Sequence, residues 1–379
     1  MAGEIVRMGV VGACGRGASF KAACDHIAEV RVQAVCDVRA EGLAEAAERL
    51  GAAERYVEYE EMLESGRVDA VILGTPMHHH VPQAVAALRR GIHVLSEVPA
   101  GVSLNECRAL VQATFRSPAI YMMAENYIYT RSTVVVTQIA REGLFGTPYY
   151  AEGEYLHELK GLNETTPWRR KWQTGIDGNT YPTHSLGPIL QWMPGDRVVS
   201  VCCVGSGHHH RDPRGDVYEN QDTTITLCRM RSGGLVKLRL DMLSDRPHAM
   251  NNHQLQGTDG AFESARAPGE PNRIWLRSME PRAERWTPLE ALEERFLPAR
   301  WREAAEVAAS AGHGGGDYFE VLDFVDAVLG RRPPAVDVHA AMDMTLPGLV
   351  SQQSVQFAEP RWLAVPDSRD WEAGRPPAV

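Results

Sequence analysis

The sequence predicts an α/β protein of two domains. A doubly wound parallel sheet fills residues 1–125, and an α/β domain with an open, mostly antiparallel sheet follows over 126–379. Three observations carry this. Short apolar runs alternate with helix-length amphipathic segments up to about residue 127, the pattern of β-α-β crossovers. Beyond that point strand-like segments follow one another with turns between them. A length of 379 residues suits two domains at roughly 100–200 residues each.

The elements follow in order. EIVRMGVVG (4–12) is too short for a helix and rich in Val and Ile, so it reads as a buried strand. GACGRGASFKAACDHI is a Gly-rich turn entering an Ala-rich helix. VRVQAVCD is a strand ending in Asp37, and AEGLAEAAERLG is a helix stopped by Gly51. VDAVILGTP (68–76), IHVLSEVPA and AIYMMAENY (119–127) are further strands, with helices HHVPQAVAALRRG and LNECRALVQATFRS between them. TVVVTQIAREGLFG (133–146) reads as a helix ending in glycine. PYYAEGEYLHEL, RVVSVCCVGS, DTTITLCRM, GLVKLRLDML and HQLQGTDGAFES read as the second sheet. YFEVLDFVDAVLG (318–330) and VDVHAAMDMTLPGLVSQQSVQ add helices, and the Pro-rich stretch PDSRDWEAGRPPAV is expected to end loosely.

Composition excludes several classes of function. Hydrophobic residues make up 44%, enough for a sizeable core, so a wholly disordered chain is excluded. Lys plus Arg is 39 against 49 Asp plus Glu, a formal charge of −10. No dense basic stripe offsets this, which argues against nucleic acid as a partner. No apolar run approaches the ~18 residues of a membrane span, and MAGEIVRMGVVG lacks the layout of a signal peptide. The seven cysteines form no C-x-x-C and read as reduced thiols of a cytoplasmic protein.

Gly12-Ala13-Cys14-Gly15-Arg16-Gly17 lies between a strand and a helix. Glycines there let the backbone approach a pyrophosphate, and the helix start offers N–H groups. Cys14 takes the place of the usual middle glycine. Asp37 ends the next strand, 20 residues after Gly17, and suits the ribose hydroxyls of NAD while repelling the extra phosphate of NADP. Arg39 nearby is the residue that would hold such a phosphate. In GTPMHHH (74–80) a strand-end loop faces the nucleotide crevice, which assigns Thr75, Pro76, His78 and His80 to the cofactor. Successive side chains diverge, so His78, His79 and His80 are not expected to bind a metal. His208, His209 and His210 read as a solvated loop.

GACGRG, CDV (with Val38), GTPMHHHVPQAVAALRRGIHVLSEVPA and QGTDGAFE resemble the Gfo/Idh/MocA oxidoreductases across nearly the whole chain. The resemblance implies a Rossmann NAD domain, then a domain whose open sheet carries a sugar site and often an oligomer contact, giving a dimer or tetramer. Two expected groups are replaced. Val98 stands in Glu97-Val98-Pro99 where sugar dehydrogenases of the family carry lysine, and the segment ending in His184 lacks the acid of D-x-x-x-H. The replacements are similar to one branch, glycoside hydrolase family 109. Its E-V-P, E-N-x-x-Y, Y-P-T-H-x-L-G-P and H-G-G segments match Glu97–Pro99, Glu125–Tyr129, Tyr181–Pro188 and His313–Gly315.

That branch implies hydrolysis without two carboxylic acids flanking the bond. The sugar is transiently oxidised at carbon 3, the group on carbon 1 is eliminated, water adds, and the ketone is reduced again, so NAD is held tightly and recycled. His184 then suits exchange of the carbon-3 hydroxyl proton, and Tyr129 or Tyr181 serves as base at carbon 2. Glu97 binds sugar hydroxyls or assists the leaving group, or bonds on the nicotinamide side. Asn126 falls to the cofactor, and His157 and His313 to the substrate. Trp168 and Arg169 can stack on and bind a sugar ring. Two other readings remain: a net sugar or cyclitol dehydrogenase, and a non-catalytic NAD- or sugar-binding protein.

Overall fold

The computed structural model describes residues 4–247 and 250–372. Six strands form the first sheet: β1 (Val6–Val11), β2 (Val30–Cys36), β3 (Glu54–Tyr56), β4 (Ala70–Leu73), β5 (His93–Ser96) and β6 (Tyr121–Met123). All pair in parallel, in the order β3-β2-β1-β4-β5-β6. A sheet covered on both faces needs strands that are apolar throughout. Met8 and Val10 of β1 and every residue of β4 are accordingly buried. The chain winds outward through β2 and β3, then returns to β4 and winds the other way. The order therefore reverses between β1 and β4, where such sheets bind their ligand beyond the carboxyl ends of the strands.

The second sheet has nine strands. They are β7 (Pro148–Leu156), β8 (Val198–Gly205), β9 (Thr223–Met230), β10 (Leu235–Asp241), β11 (Asn251–Gly257), β12 (Gly260–Glu263), β13 (Arg273–Leu276), β14 (Thr287–Pro288) and β15 (Leu363–Ala364). Their order is β14-β13-β12-β11-β7-β10-β9-β8-β15. Every pair is antiparallel except β7 with β10. One face packs on the helix Thr183–Trp192, which lies against β7, β10 and β11. Alternate residues on the other face, Tyr150, Glu152, Lys237, Gln254 and Gln256, are half-buried.

The chain packs as two compact units that do not follow chain order. The first takes residues 1–130, 303–342 and 367–379, and the second 131–302 and 343–366. A boundary near residue 125 would give everything later to one domain. The helix Gly316–Val328 instead buries Phe319, Val321 and Phe324 and packs on Lys21–His26 and on the 3₁₀ turn Asn126–Tyr129 within the first unit. Local details also differ from the sequence reading. The strand expected over 119–127 stops at Met123, because Glu125 caps a 3₁₀ turn by accepting from Tyr127 N at 3.2 Å. The helix expected over 133–146 spans Arg131–Arg141 and is followed by glycine turns at 143 and 146. Of the expected loose terminus, residues 373–379 lie outside those described, and Ser368–Trp371 forms a 3₁₀ turn with Trp371 buried.

Candidate active site

In the first unit β1 runs into Gly12, whose φ of +75° suits glycine. A Cβ on Gly12 would lie 2.5 Å from Gly74 O, and one on Gly74 would lie 2.5 Å from Gly17 N. Bare backbone at these positions is what lets the loops after β1 and β4 press together. Cys14 is not one of the crossing points. Its N–H donates to Asp37 Oδ2 at 2.9 Å, so a side chain in place of the usual glycine is accommodated. Asp37 directly follows β2 and is buried. Burial pushes its carboxyl upward, but hydrogen bonds from Arg39 and from Cys14 N–H outweigh that and hold it below its ordinary value. Arg39 Nε and Nη2 lie 3.0 and 3.2 Å from the carboxylate, so the cation that could have taken a ribose phosphate is engaged by Asp37. Val38 is exposed.

Thr75 Oγ1 donates to Gln83 Oε1 at 2.6 Å, and Pro76 leads into a turn in which the His78 and His79 rings meet at 4.0 Å. His80 is buried, with its ring nitrogens 2.9 Å from Thr75 O and 2.9 Å from Pro99 O. Burial lowers its pKa, so the ring is neutral and donates to one of the two carbonyls. It thus ties the loop after β4 to the loop after β5. A carboxylate at the end of the second strand and a crossing of bare glycines fit an adenine dinucleotide: Asp37 for the ribose and Gly12–Gly17 for the pyrophosphate.

A line of charge runs through the same unit. Arg16 Nε donates to Glu97, and its other nitrogens reach Asp317 at 3.1 and 3.3 Å. Asp317 also accepts from Asn126 Nδ2 at 3.0 Å and lies 2.9 Å from His313 Nδ1. Burial opposes its charge, yet the His313 hydrogen bond and the Arg16 guanidinium hold its carboxyl well below the usual range. His313, assigned to substrate by its motif, is therefore a partner of Asp317 within the first unit, at a left-handed φ of +52°. One turn further on, Glu320 is fully buried, and neither carboxyl oxygen has a hydrogen-bond partner among the described residues. Burial, then the charges of Asp317 and Glu97, push its carboxyl well above the ordinary value, which favours the protonated form. Tyr129 is buried in the turn Asn126–Tyr129.

The second unit gathers aromatic and imidazole groups. Tyr181 precedes the helix Thr183–Trp192, and His184 lies in its first turn. Their rings meet edge-on at 5.2 Å. Tyr155, pointing from β7 to the same face, lies 5.1 Å from Tyr181 and 5.6 Å from His184, and its hydroxyl is 2.9 Å from His157 Nδ1. Leu159, Leu240 and Met242 pack around Tyr155 and give the cluster an apolar floor. Gly153 makes this possible: a Cβ there would sit 2.2 Å from Ser185 O, so only a bare backbone lets the helix come down onto β7. In the helix Pro167–Trp172 the Arg169 guanidinium stacks 4.5 Å over the Trp168 ring and donates to Gln173 Oε1 at 2.9 Å. One face of Trp168 is thereby taken by its neighbour.

Comparison with known proteins places this geometry. Residues 6–125 match the NAD-binding Rossmann fold of the Gfo/Idh/MocA oxidoreductase family, and residues 129–370 match the glycosyl hydrolase 109 C-terminal domain. The chain belongs to glycosyl hydrolase family 109. A family 109 protein of Saccharopolyspora erythraea is 31% identical, over 98% of this chain and 84% of that one. An α-N-acetylgalactosaminidase of Shewanella oneidensis is 29% identical, over 93% and 83%. The WlbA dehydrogenase of Bordetella pertussis, solved with NADH and UDP-GlcNAcA, shares the fold, with a TM-score of 0.75, 20% identity and coverage of 97% and 99%. This family 109 chain is thus an NAD-dependent enzyme of the Gfo/Idh/MocA type.

Sequence motifs singled out Asp37 and the glycine loop, which the structure brings together in the first unit, and Tyr181 and His184, whose rings meet in the second. They missed Tyr155, Asp317 and Glu320. Tyr155 had a signal, since it stands two residues before His157 in YLHEL, the spacing that puts two side chains on one side of an extended chain. Asp317 stood inside HGGGD, but its partner Arg16 is 301 residues away in sequence, and nothing local announces such a pair.

Proposed function

We propose that the protein is an NAD-dependent glycosidase that cleaves its substrate by transient oxidation at sugar carbon 3. The observation that carries this is the contact of Tyr155, Tyr181 and His184, three rings able to bind and move protons, gathered in the part of the chain that matches the family 109 domain. When bound, NAD accepts hydride from carbon 3 and returns it at the end of the cycle, so it is retained. His184 takes and returns the proton of the carbon-3 hydroxyl. The ketone acidifies the carbon-2 hydrogen, which Tyr181 or Tyr129 removes as the carbon-1 oxygen leaves with its electron pair. Water then adds at carbon 1 and a proton returns to carbon 2. Glu97 binds sugar hydroxyls or assists the leaving group. Tyr155, His157, Trp168 and Arg169 bind the ring, whose apolar C–H face suits an aromatic surface.

The name of the Shewanella relative makes α-N-acetylgalactosaminides the first substrates to try. The open face of the second sheet, with a groove of about 420 Å³ lined by Tyr150, Gln254, Trp275 and Trp286, supports a homo-oligomer. Six buried cysteines, with burial raising the thiol pKa at Cys24, Cys36 and Cys107, support a cytoplasmic location. The mechanism is tested by turnover in heavy water. Elimination and hydration put one solvent deuterium on carbon 2 of the released sugar. A product without that label, formed with one NADH per sugar, would mean net oxidation instead.

A further inference from the structure

We infer that His253 is a positioning residue for His184, its imidazole N–H standing in for the backbone N–H that Pro188 lacks. The inference rests on reading His184 as the proton-transfer group. In a regular helix the carbonyl of residue 184 accepts from the N–H of residue 188. Residue 188 is proline, inside the helix Thr183–Trp192. It has no N–H, and its ring crowds the carbonyl four residues back. His184 O thus loses its helical donor in a buried place, where an unpaired carbonyl is costly. His253 Nε2 lies 3.2 Å from that oxygen. A carbonyl only accepts, so the ring nitrogen is the donor, which fixes the tautomer with hydrogen on Nε2.

The surroundings hold this donor in place. His253 sits on β11, and its backbone N donates to Ser264 Oγ at 2.8 Å. The Trp192 ring meets its imidazole edge-on at 5.6 Å. Burial lowers its pKa to about 4, so the ring stays neutral where His184 exchanges protons. Across the β7–β11 pairing, His253 stands directly opposite Gly153. One position lacks a side chain and lets the helix approach, and the other reaches up and fastens it. The same fastening keeps the His184 ring against Tyr155 and Tyr181.

The test is a double-variant cycle of His253→Leu and Pro188→Ala in the full chain. Two readouts are used: the ¹⁵N ring signals of His184, assigned by their loss in His184→Ala, and kcat on p-nitrophenyl α-N-acetylgalactosaminide. His253→Leu should shift or broaden the His184 signals and lower kcat by about 100-fold, the scale of an ~1 Å misplacement. His253→Gln, which keeps a donor, should lose much less. Pro188→Ala restores a helical N–H to His184 O, so the double variant should recover the His184 signals and most of the rate. A packing role for His253 would not be rescued at residue 188. Wild-type signals and rate in His253→Leu, or a double variant no better than His253→Leu, would overturn the inference. If the Leu variant is insoluble, recovery of soluble protein in the double variant is read instead, and its failure overturns the inference. Full turnover by His184→Ala would overturn the reading of His184 itself. Loss of turnover there with none in His253→Leu would overturn this inference alone.

Discussion

Asp37 accepts from the Cys14 N–H and from Arg39, and we propose it as the carboxylate that binds the ribose hydroxyls. Hydrogen bonds to a charged group are worth about 1.5–3 kcal/mol. Asp37→Ala should therefore raise the Kd for NAD about tenfold or more while the far-ultraviolet spectrum stays unchanged. Titration of NADH fluorescence checks this, and unchanged affinity would remove Asp37 from the cofactor site. Glu320 makes a different prediction. Its pKa in the folded chain lies well above the ordinary 4.5, so the native state keeps a proton that the unfolded chain has released. Stability contributed this way is fully present below about pH 4.5 and declines as pH rises toward the folded value. Glu320→Gln, which cannot ionise, should raise Tm at pH 8 by several degrees and change it little at pH 4. Equal shifts at both pH values would show that Glu320 is not protonated. Asp317 has the opposite sign, since its depressed pKa gives stability that is lost as pH falls. The place of Asp37 beside the glycine loop was legible in the sequence because it depends only on the end of one strand and a loop about 20 residues away. Glu320, Asp317 and His253 were not, because each depends on a partner brought in by the whole fold.

At the scale of elements, five of the six strands of the first sheet were legible because apolar runs of four to nine residues have one good reading in an alternating pattern. β3, β13 and β14, of three, four and two residues, carry no such signal, and neither do the short helices Lys160–Thr165 and Glu293–Phe296. The second sheet is mostly antiparallel, as expected; its one parallel pair, β7 with β10, joins strands far apart in sequence. What seats the helix Thr183–Trp192 on that sheet is the bare backbone at Gly153. Gly153→Ala places a Cβ 2.2 Å from a carbonyl that cannot move freely, and should cost about 3 kcal/mol, read as a Tm drop of several degrees or loss of soluble protein. Gly161, in the helix Lys160–Thr165 with open space around its Cβ position, is the control. There alanine should be neutral or stabilise by about 0.5–1 kcal/mol. Equal effects at both positions would contradict the role given to Gly153.

At the scale of the molecule, residues 303–342 return to the first unit and bring Asp317 and Glu320 to Arg16. Chain order alone suggests two consecutive domains, because no composition shift marks such a return. The open face of the second sheet leads us to expect a homo-oligomer in solution, and a monomeric mass of 41.8 kDa by light scattering would contradict that. The central claim is that the cofactor is recycled within each turnover. The most direct test is release of aryl aglycones from α- and β-glycosides, N-acetylated ones included, by purified protein with no NAD added, while absorbance at the NADH wavelength is followed and bound nucleotide is counted. We predict many turnovers per bound NAD with no accumulation of NADH. Absence of release from every glycoside, or release accompanied by one NADH per sugar, would contradict it.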